Sequence, residues 1–231
     1  MQLVPSRDPL PPGVMLYRLD LDLATEAAQA WPDLTAEERE RAARFAHRAD
    51  RVRFAATRAT VRRLLAQRLG CGPAEVPLRA GRHGKPAVDD RLAGAPLFSV
   101  SHSGRHALLA LGDARALMHV GVDIEQCRDD LDAEAVLDLA FTEAERHAVR
   151  SAGDTLQALY VRWVGKEAAL KSIGVGIAEY LPYIGIHPWA DGRLDIACDI
   201  PEWAGLQAMT LRAPQGYAAA LAWRTRTIGK Q

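Results

Sequence analysis

Asp123 and Glu125 stand two positions apart in the segment 121–125, Gly-Val-Asp-Ile-Glu. Alternating apolar and acidic residues predict a strand, in which side chains two positions apart share one face. Two neighbouring carboxylates repel each other unless a proton or a cation lies between them. Such a pair suits Mg²⁺, which takes few protein ligands and completes its shell with water and phosphate. A solvated strand edge is the alternative explanation of this short motif.

A third carboxylate lies in the segment 163–171, Trp-Val-Gly-Lys-Glu-Ala-Ala-Leu-Lys. In a helix, a spacing of four residues places Trp163, Glu167 and Lys171 on one face, with Lys166 about a quarter turn from Glu167. We expect Glu167 to act as a metal ligand or a base, and the two ammonium groups to face phosphate. The alternative is an ordinary surface Glu–Lys pair, which stabilises a helix by only ~0.2–0.5 kcal/mol.

Small polar residues follow an apolar run in the segment 98–104, Phe-Ser-Val-Ser-His-Ser-Gly. Hydroxyl and imidazole groups at a strand end can bind phosphate oxygens. A Ser–His pair also suggests a hydrolase, but adjacent strand residues point to opposite faces, and no Gly-x-Ser-x-Gly turn is present. The loop 81–86 adds Arg82, His83 and Lys85, either as phosphate contacts or as an exposed turn.

Two blocks of helices and strands must position these groups. We expect an α+β fold of two halves, 1–115 and 116–231, and the sequence shows no internal repeat at the residue level. Capping-box, periodicity and glycine signals predict helices at about 35–45, 50–69, from 132, from 142 and at 155–173. Period-2 alternation and short apolar runs predict strands near 19–23, 97–100, 107–111, 120–124, 184–186, 194–197, 208–211 and 218–223.

The composition argues against several classes of partner and site. Lys plus Arg and Asp plus Glu both number 29, so the formal net charge of zero argues against bulk nucleic acid as the partner. Cys71, Cys127 and Cys198 are scattered, which argues against disulfides and zinc and predicts small buried side chains in a reducing cytoplasm. No apolar run reaches the ~20 residues that cross a bilayer, and the N-terminus lacks a signal-peptide pattern.

Taken in order, four motifs resemble those of the Sfp-type 4′-phosphopantetheinyl transferase family. The resemblance extends from about residue 35 to residue 171. Each motif alone is a weak signal, and the four motifs in this order are highly specific. It implies two similar α+β halves related by pseudo-twofold symmetry, with one coenzyme A site at their junction. The motifs are Gly-Lys-Pro at 84–86, Phe-Ser-Val-Ser-His-Ser at 98–103, Gly-Val-Asp-Ile-Glu at 121–125 and the segment 163–171.

The resemblance also implies a role for individual residues. Asp123, Glu125 and Glu167 match magnesium ligands, and Mn²⁺ is expected to substitute for Mg²⁺. Glu167 also matches the group that takes the proton of the acceptor serine. The remaining positions match coenzyme A contacts: Lys171 with the diphosphate, His102 and Lys171 with the leaving group, Ser101, His102 and Lys85 chiefly with phosphates, and Arg41 and Arg44 in the region that binds the 3′-phosphate.

One position departs from the family pattern. Glu38 stands where the best-known member has a lysine, and on a helix Glu38 and Arg41 share a face, so we expect them to pair. The function implied is transfer of phosphopantetheine from coenzyme A to a serine of an apo acyl or peptidyl carrier protein, by a cytoplasmic monomer. A coenzyme A-binding paralogue without transfer and a metal-dependent phosphoesterase are the alternatives.

Overall fold

A computed structural model describes residues 2–81, 83–89, 91–92 and 94–226. The first half of the chain builds one antiparallel sheet, a small hairpin and two helices. The two helices separate β2 from the later strands. Its elements are β1 (Gln2–Pro5), β2 (Val14–Asp20), α1 (Ala36–Ala43), α2 (Arg48–Leu69), β3 (Leu78–Ala80), β4 (Pro86–Val88), β5 (Leu97–Ser103) and β6 (His106–Gly112).

The second half repeats this order with a second antiparallel sheet. A long strand comes first, helices follow, and the remaining strands close the sheet against it. Its elements are β7 (Leu117–Gln126), α3 (Ala133–Ala140), α4 (Glu143–Arg150), α5 (Thr155–Ile173), α6 (Ile177–Tyr180), β8 (Gly185–Pro188), β9 (Arg193–Ala197), β10 (Gln207–Thr210) and β11 (Tyr217–Thr225).

The two sheets have matching strand orders. The first runs β1-β2-β6-β5 and the second β7-β11-β10-β9-β8, so that β2, β6 and β5 correspond to β7, β11 and β10. The hairpin β3-β4 corresponds to β8-β9, which in the second half joins the sheet. This repetition confirms the predicted α+β fold of two similar halves. The boundary between residues 115 and 116 stays a prediction, although the chain passes from the first sheet to the second between β6 and β7.

Three apolar clusters show that the halves stack in layers. One cluster lies between α2 and the first sheet and includes Leu65 and Leu109. Another lies between α5 and the second sheet and includes Leu170. The third contains residues of both sheets, such as Leu108 from β6 and Val122 from β7. Because strand side chains alternate between faces, Val122 and Ile124 fill this central cluster while Asp123 and Glu125 face α5.

The structure also reveals an internal repeat that sequence inspection did not detect. Both predicted capping boxes are present, formed by Thr35 with Glu38 at α1 and by Thr142 with Glu145 at α4. The carboxylate of each box forms an ion pair with a basic residue of the long helix of its half. Arg62 pairs with Glu38 at 2.6 Å, and Lys166 pairs with Glu145 at 2.7 Å.

The predicted helix ends agree closely with the structure, whereas β2 is displaced from its predicted position and β1, β3 and β4 were not predicted. The long helices α2 and α5 both end at a glycine in the left-handed region, Gly70 (φ 68°) and Gly174 (φ 83°). Strand β2 lies earlier than predicted and ends at Asp20, because Asp22 begins a turn closed by its own side chain. The three cysteines are free and partly exposed rather than buried. None of the described helices is long and apolar enough to span a bilayer.

Candidate active site

The two sheets meet along β5 and β7, and serine side chains connect these strands. The hydroxyl of Ser99 accepts a hydrogen bond from the backbone N–H of Val122 (3.1 Å). Two residues on, Ser101 donates to Asp123 (2.6 Å), and after two more Ser103 donates to Glu125 (2.8 Å). Since the serines alternate along β5, all three face β7. The segment that resembles a phosphate-binding motif therefore also orients both carboxylates of the Asp-x-Glu motif.

Helix α5 brings the third carboxylate to this pair because its backbone packs directly on β7. A Cβ at Gly121 would overlap the backbone of Ala168 and Ser172 in α5, so only glycine permits this approach. Glu167 consequently faces Asp123 and Glu125. Single oxygens of Asp123, Glu125 and Glu167 lie within 4.8 Å of one another, which brings together the three predicted metal ligands.

These carboxylates lie in a poorly solvated environment. Burial raises the pKa of the Glu125 carboxyl to about 7, and the charges of Asp123 and Glu167 add to this, whereas the hydrogen bond from Ser103 opposes it. Burial and then the charge of Asp123 also raise the pKa of Glu167, against the opposing effect of Lys171. Crowded carboxylates with raised pKa values are short of positive charge.

Lys171 supplies part of that charge. Its Nζ donates to Asp123 Oδ1 (2.5 Å) and to Ser101 Oγ (3.1 Å), and lies 3.0 Å from Glu167 Oε2. Burial acts to lower the pKa of Lys171, but the two carboxylates outweigh it and raise the pKa above the usual value for lysine. Lys171 therefore remains positively charged beside the carboxylate group.

A divalent cation fits this arrangement. Three carboxylates against one ammonium leave two formal negative charges if all are ionised. Oδ2 of Asp123 is fully buried and has no hydrogen-bond partner in the described part of the chain, which is costly for a carboxylate oxygen. Mg²⁺ binds carboxylate oxygens and keeps positions free for water and phosphate, so the donor set suits it.

A cleft of about 280 Å³ opens beside Lys171 between the two halves. Its walls come from the loop before β4, from β5 and from the segment after α5. Lys85 crosses from the first half to the second, where its Nζ donates to the carbonyls of Val120 (3.2 Å) and Ser172 (3.3 Å). Burial lowers the pKa of Lys85 to about 8. Arg82 lies outside the described residues.

Ser101 and His102 point to opposite faces of β5, as predicted. The Ser101 hydroxyl lies between Asp123 and Lys171, whereas the His102 ring lines a small cavity against α2 together with Phe54. No hydrogen bond joins Ser101 to His102 in the described structure. Desolvation lowers the pKa of His102, and the charges of Lys171 and Arg53 add to this, although the residue as a whole is exposed to solvent.

The predicted pairing of Glu38 with Arg41 is wrong. Glu38 accepts two hydrogen bonds from Arg62 (2.6 and 3.0 Å), because its capping role points the carboxylate towards α2. The Arg41 guanidinium instead lies over the Phe54 ring, 5.1 Å from its centre. Arg44 is 80% exposed and its nearest acid is Glu40 at 3.9 Å. The structure therefore does not bring Arg44 to the other predicted site residues.

The expectation that Lys166 faces phosphate is also wrong. Lys166 is completely buried, pairs with Glu145 and donates to the carbonyls of Leu181 (2.9 Å) and Ile184. Adjacent helix residues differ by about 100° in direction, so of the two lysines in this motif only Lys171 reaches the carboxylates. This difference in direction points Lys166 towards α4, where Glu145 pairs with it.

Sequence reasoning did not identify two further sets of residues. Ser99 gave no signal beyond its spacing from Ser101, and the role of that spacing depends on a strand that follows later in the chain. Phe54, Thr57 and Arg58 lie in α2, for which the sequence predicted only a helix with a buried face. The charge of Arg58 beside buried neighbours is the one signal that could have drawn attention to it.

Comparisons with known proteins give the family of this chain. Residues 119–222 match the 4′-phosphopantetheinyl transferase superfamily model, and residues 23–113 match the model of a 4′-phosphopantetheinyl transferase N-terminal domain. The chain is 34% identical over 199 residues to the 4′-phosphopantetheinyl transferase HetI of Nostoc sp., covering 84% of this chain and 81% of that protein.

Two further matches are more distant. The 4′-phosphopantetheinyl transferase ffp of Bacillus subtilis is 28% identical over 171 residues, covering 73% of this chain and 72% of that protein. A crystal structure of a holo-(acyl-carrier-protein) synthase from Bacillus anthracis covers 48% of this chain and 99% of its own, with 17% identity and a TM-score of 0.41. The chain belongs to the 4′-phosphopantetheinyl transferase family.

Proposed function

We propose that this protein transfers the 4′-phosphopantetheine group of coenzyme A to a serine of an apo acyl or peptidyl carrier protein and releases 3′,5′-ADP. The observation that carries this proposal is the group of Asp123, Glu125 and Glu167, which converges beside Lys171 at the junction of the halves. Membership of the transferase family supports it.

The reaction breaks a phosphoanhydride bond of coenzyme A and forms a phosphate ester bond to the carrier serine. The serine oxygen of the carrier attacks the β-phosphorus of coenzyme A, and the bond from that phosphorus to the bridging oxygen of 3′,5′-ADP breaks. Phosphoryl transfer asks the protein mainly for alignment and for neutralisation of charge. Mg²⁺ bound by Asp123, Glu125 and Glu167 would supply charge neutralisation for the diphosphate, and Mn²⁺ is expected to substitute.

The chain's own groups have distinct tasks in this scheme. Glu167 accepts the serine proton, directly or through a water molecule. Lys171 is held charged by Asp123 and compensates the negative charge that develops on the leaving group. Ser101 fixes the carboxylate of Asp123 and the ammonium of Lys171 relative to each other.

Coenzyme A contacts extend from this group into the first half. Lys85 and Lys171 line the junction cleft from opposite halves, and we assign the diphosphate to their side of β5. His102, on the other face of β5, supports the leaving nucleotide, and Arg41 provides a positive charge near it. We also propose that the protein works as a cytoplasmic monomer without nucleic-acid or membrane partners, and size-exclusion chromatography with light scattering would test the monomer.

The decisive experiment is mass spectrometry of several purified apo-carrier proteins after incubation with the protein, coenzyme A and Mg²⁺. We expect a mass gain equal to one phosphopantetheine group, abolished by EDTA. Binding of coenzyme A without a mass gain on any carrier would instead favour a binding paralogue. Release of phosphate or of free phosphopantetheine without a carrier would favour a phosphoesterase.

A further inference from the structure

The turn between β5 and β6 brings Ser103 to the carboxylate group. Residues 103–106, which we call the Gly104 turn, form a hairpin with a two-residue loop, in which Ser103 pairs with His106. Gly104 has φ 52°, a left-handed value that favours glycine. Because Ser103 is the last residue of β5 and directly precedes the loop, its position depends on the conformation of this turn.

The orientation of Glu125 depends on this one serine. Among the residues that the structure describes, Ser103 is the only donor of a hydrogen bond to the Glu125 carboxylate, at 2.8 Å. Asp123, by contrast, also accepts from the ammonium group of Lys171 (2.5 Å). The Ser103 hydroxyl in turn accepts from the backbone N–H of Gln126 (3.0 Å). A displaced Ser103 would therefore leave the Glu125 carboxylate without a partner, whereas Asp123 would keep Lys171.

Tyr217 at the start of β11 holds the Gly104 turn from the other half of the molecule. Its hydroxyl accepts a hydrogen bond from the backbone N–H of Arg105 (3.1 Å). A Cβ at Gly104 would overlap this hydroxyl and the side chain of Gln126, so only glycine permits the contact. Tyr217 is also paired with Gln126 between β11 and β7. It thereby connects the turn to the strand that carries Glu125.

Three polar residues of the first half support the Tyr217 ring. His106 packs against it edge to face, with ring centroids 4.8 Å apart and planes at 81°, which is a favourable aromatic geometry. Nδ1 of His106 lies 2.8 Å from Asp20 Oδ1, and Asp20 accepts two hydrogen bonds from Arg18 (2.7 and 3.1 Å). The imidazole is therefore held in one orientation, and the Tyr217 ring has a fixed surface to pack on.

The loop residues of the turn are also bound to the first half. Nε of Arg53 in α2 donates to the carbonyl of Gly104 (2.9 Å), and the N–H of Leu21 donates to the carbonyl of Arg105 (2.9 Å). These two contacts fix the loop relative to its own sheet. Tyr217 fixes the same loop relative to the second half, and the carboxylate group belongs to the second half.

We propose that Tyr217 is a positioning residue of the metal site: by fixing the Gly104 turn against the end of β7, it keeps the Ser103 hydroxyl on Glu125 and so raises the affinity of the carboxylate group for a divalent cation. This inference rests on the proposed function, which assigns Glu125 to the cation. Tyr217 acts through Ser103 and not by direct contact, because its neighbour Ala218 is the residue of β11 opposite Glu125.

The experiment measures the affinity for Mn²⁺ alone, from the electron paramagnetic resonance signal of the free ion. Hydrogen-bond partners of metal ligands typically contribute about 10- to 100-fold in metal affinity, so Ser103→Ala should weaken Mn²⁺ binding by about 10-fold or more. Tyr217→Phe keeps the ring and removes one hydrogen bond, so it should weaken binding by about 2- to 10-fold. Tyr183→Ala, at a tyrosine that is 68% exposed, is the control and should bind Mn²⁺ as the wild type does.

A double variant distinguishes positioning from a general effect on the fold. If Tyr217 acts through Ser103, adding Tyr217→Phe to Ser103→Ala should weaken Mn²⁺ binding by less than about twofold further, because the bond that Tyr217 positions is already absent. Transfer by Tyr217→Phe should return to the wild-type rate when Mg²⁺ is raised by the factor lost in affinity. The larger change Tyr217→Ala should weaken binding at least as much as Tyr217→Phe does.

Three results would overturn the inference. Wild-type Mn²⁺ affinity in both Tyr217→Phe and folded Tyr217→Ala would mean that Tyr217 only supports the fold. The same loss for Tyr217→Phe with and without Ser103 would mean that it acts by another route. A wild type that binds no Mn²⁺ would refute the metal site and this role with it. Failure of the proposed function looks different: Mn²⁺ binding would depend on Tyr217 and Ser103 as described, and no carrier would gain mass.

Discussion

Replacing Lys166 with methionine breaks an ion pair that is completely buried. The side chains of Lys166 and Glu145 both have 0% exposure, and their Nζ and Oε2 atoms are 2.7 Å apart. Lys166 also donates to the carbonyls of Leu181 (2.9 Å) and Ile184, and Glu145 accepts from the backbone N–H of Ile186 (2.8 Å). This pair therefore connects α4, α5 and the chain segment that enters β8.

The magnitude follows from what the substitution leaves behind. Glu145 would remain as a buried carboxylate without its cation, and removing one partner of such a pair typically costs about 3–5 kcal/mol. In proteins of 150–250 residues each kcal/mol lowers the melting temperature by about 2–4 °C, so Lys166→Met should lower it by about 6–20 °C. Glu145→Leu together with Lys166→Met should recover part of this loss, because no unpaired charge remains.

Thermal unfolding followed by circular dichroism, combined with the transfer assay, tests this reasoning. Glu167→Gln is the matched control, since it changes the next residue of the same helix. It should abolish transfer with little change in melting temperature, because it removes one of three crowded carboxylates. A Lys166→Met protein with the wild-type melting temperature and no transfer activity would refute the structural role, and would mean that Lys166 acts on the phosphates.

The other predictions concern the junction site. Glu125→Gln should abolish the stabilisation that Mg²⁺ gives to the wild type in thermal-shift titrations, and strong transfer by Glu125→Gln at low Mg²⁺ would argue against Glu125 as a ligand. Mn²⁺ should restore the activity of EDTA-treated wild type. A serine-directed fluorophosphonate should not label Ser101 or Ser103, since no histidine in the described residues is hydrogen-bonded to either, and stoichiometric labelling would contradict the phosphate-contact role. Lys85→Met should be about 1–3 kcal/mol more stable than wild type at pH 7 while binding coenzyme A more weakly. The pKa of Lys85 is about 8 in the folded state and keeps its higher ordinary value in the unfolded chain. The stability of the wild type should therefore rise relative to that of Lys85→Met as the pH increases above 8. A difference in unfolding free energy that stays constant with pH in urea denaturation would contradict this.

Local signals in the sequence were sufficient for most elements of the fold. The capping boxes at Thr35 and Thr142 begin helices because each threonine accepts from a backbone N–H three residues on. Gly70 and Gly174 end the long helices because glycine takes the left-handed conformation without strain. These interactions lie within a few residues of one another, so they can be recognised without any knowledge of tertiary structure.

Interactions between distant segments could not be recognised in the same way. The pairing of Ser101 with Asp123 depends on the approach of two sheet edges, which alternation within each strand does not encode. Glu38 pairs with Arg62 because α1 packs on α2. Local helix geometry instead favoured Arg41, which lies three residues after Glu38. Local rules predict candidate partners, and packing decides among them.

Both halves contain a similar arrangement of a long helix on a sheet, but only the second half contributes the group of three carboxylates. Arg62 and Lys166 both lie eight residues before the glycine that ends their helix, and both hold a capping-box glutamate. At the same spacing from these glycines, the position of Glu167 is occupied by Arg63 in the first half, and Arg63 is paired with Asp33. A guanidinium cannot serve as a metal ligand, so the first half keeps the scaffold without the carboxylate that α5 contributes. The two copies of the scaffold have therefore diverged at this position, to a carboxylate in α5 and to a guanidinium in α2.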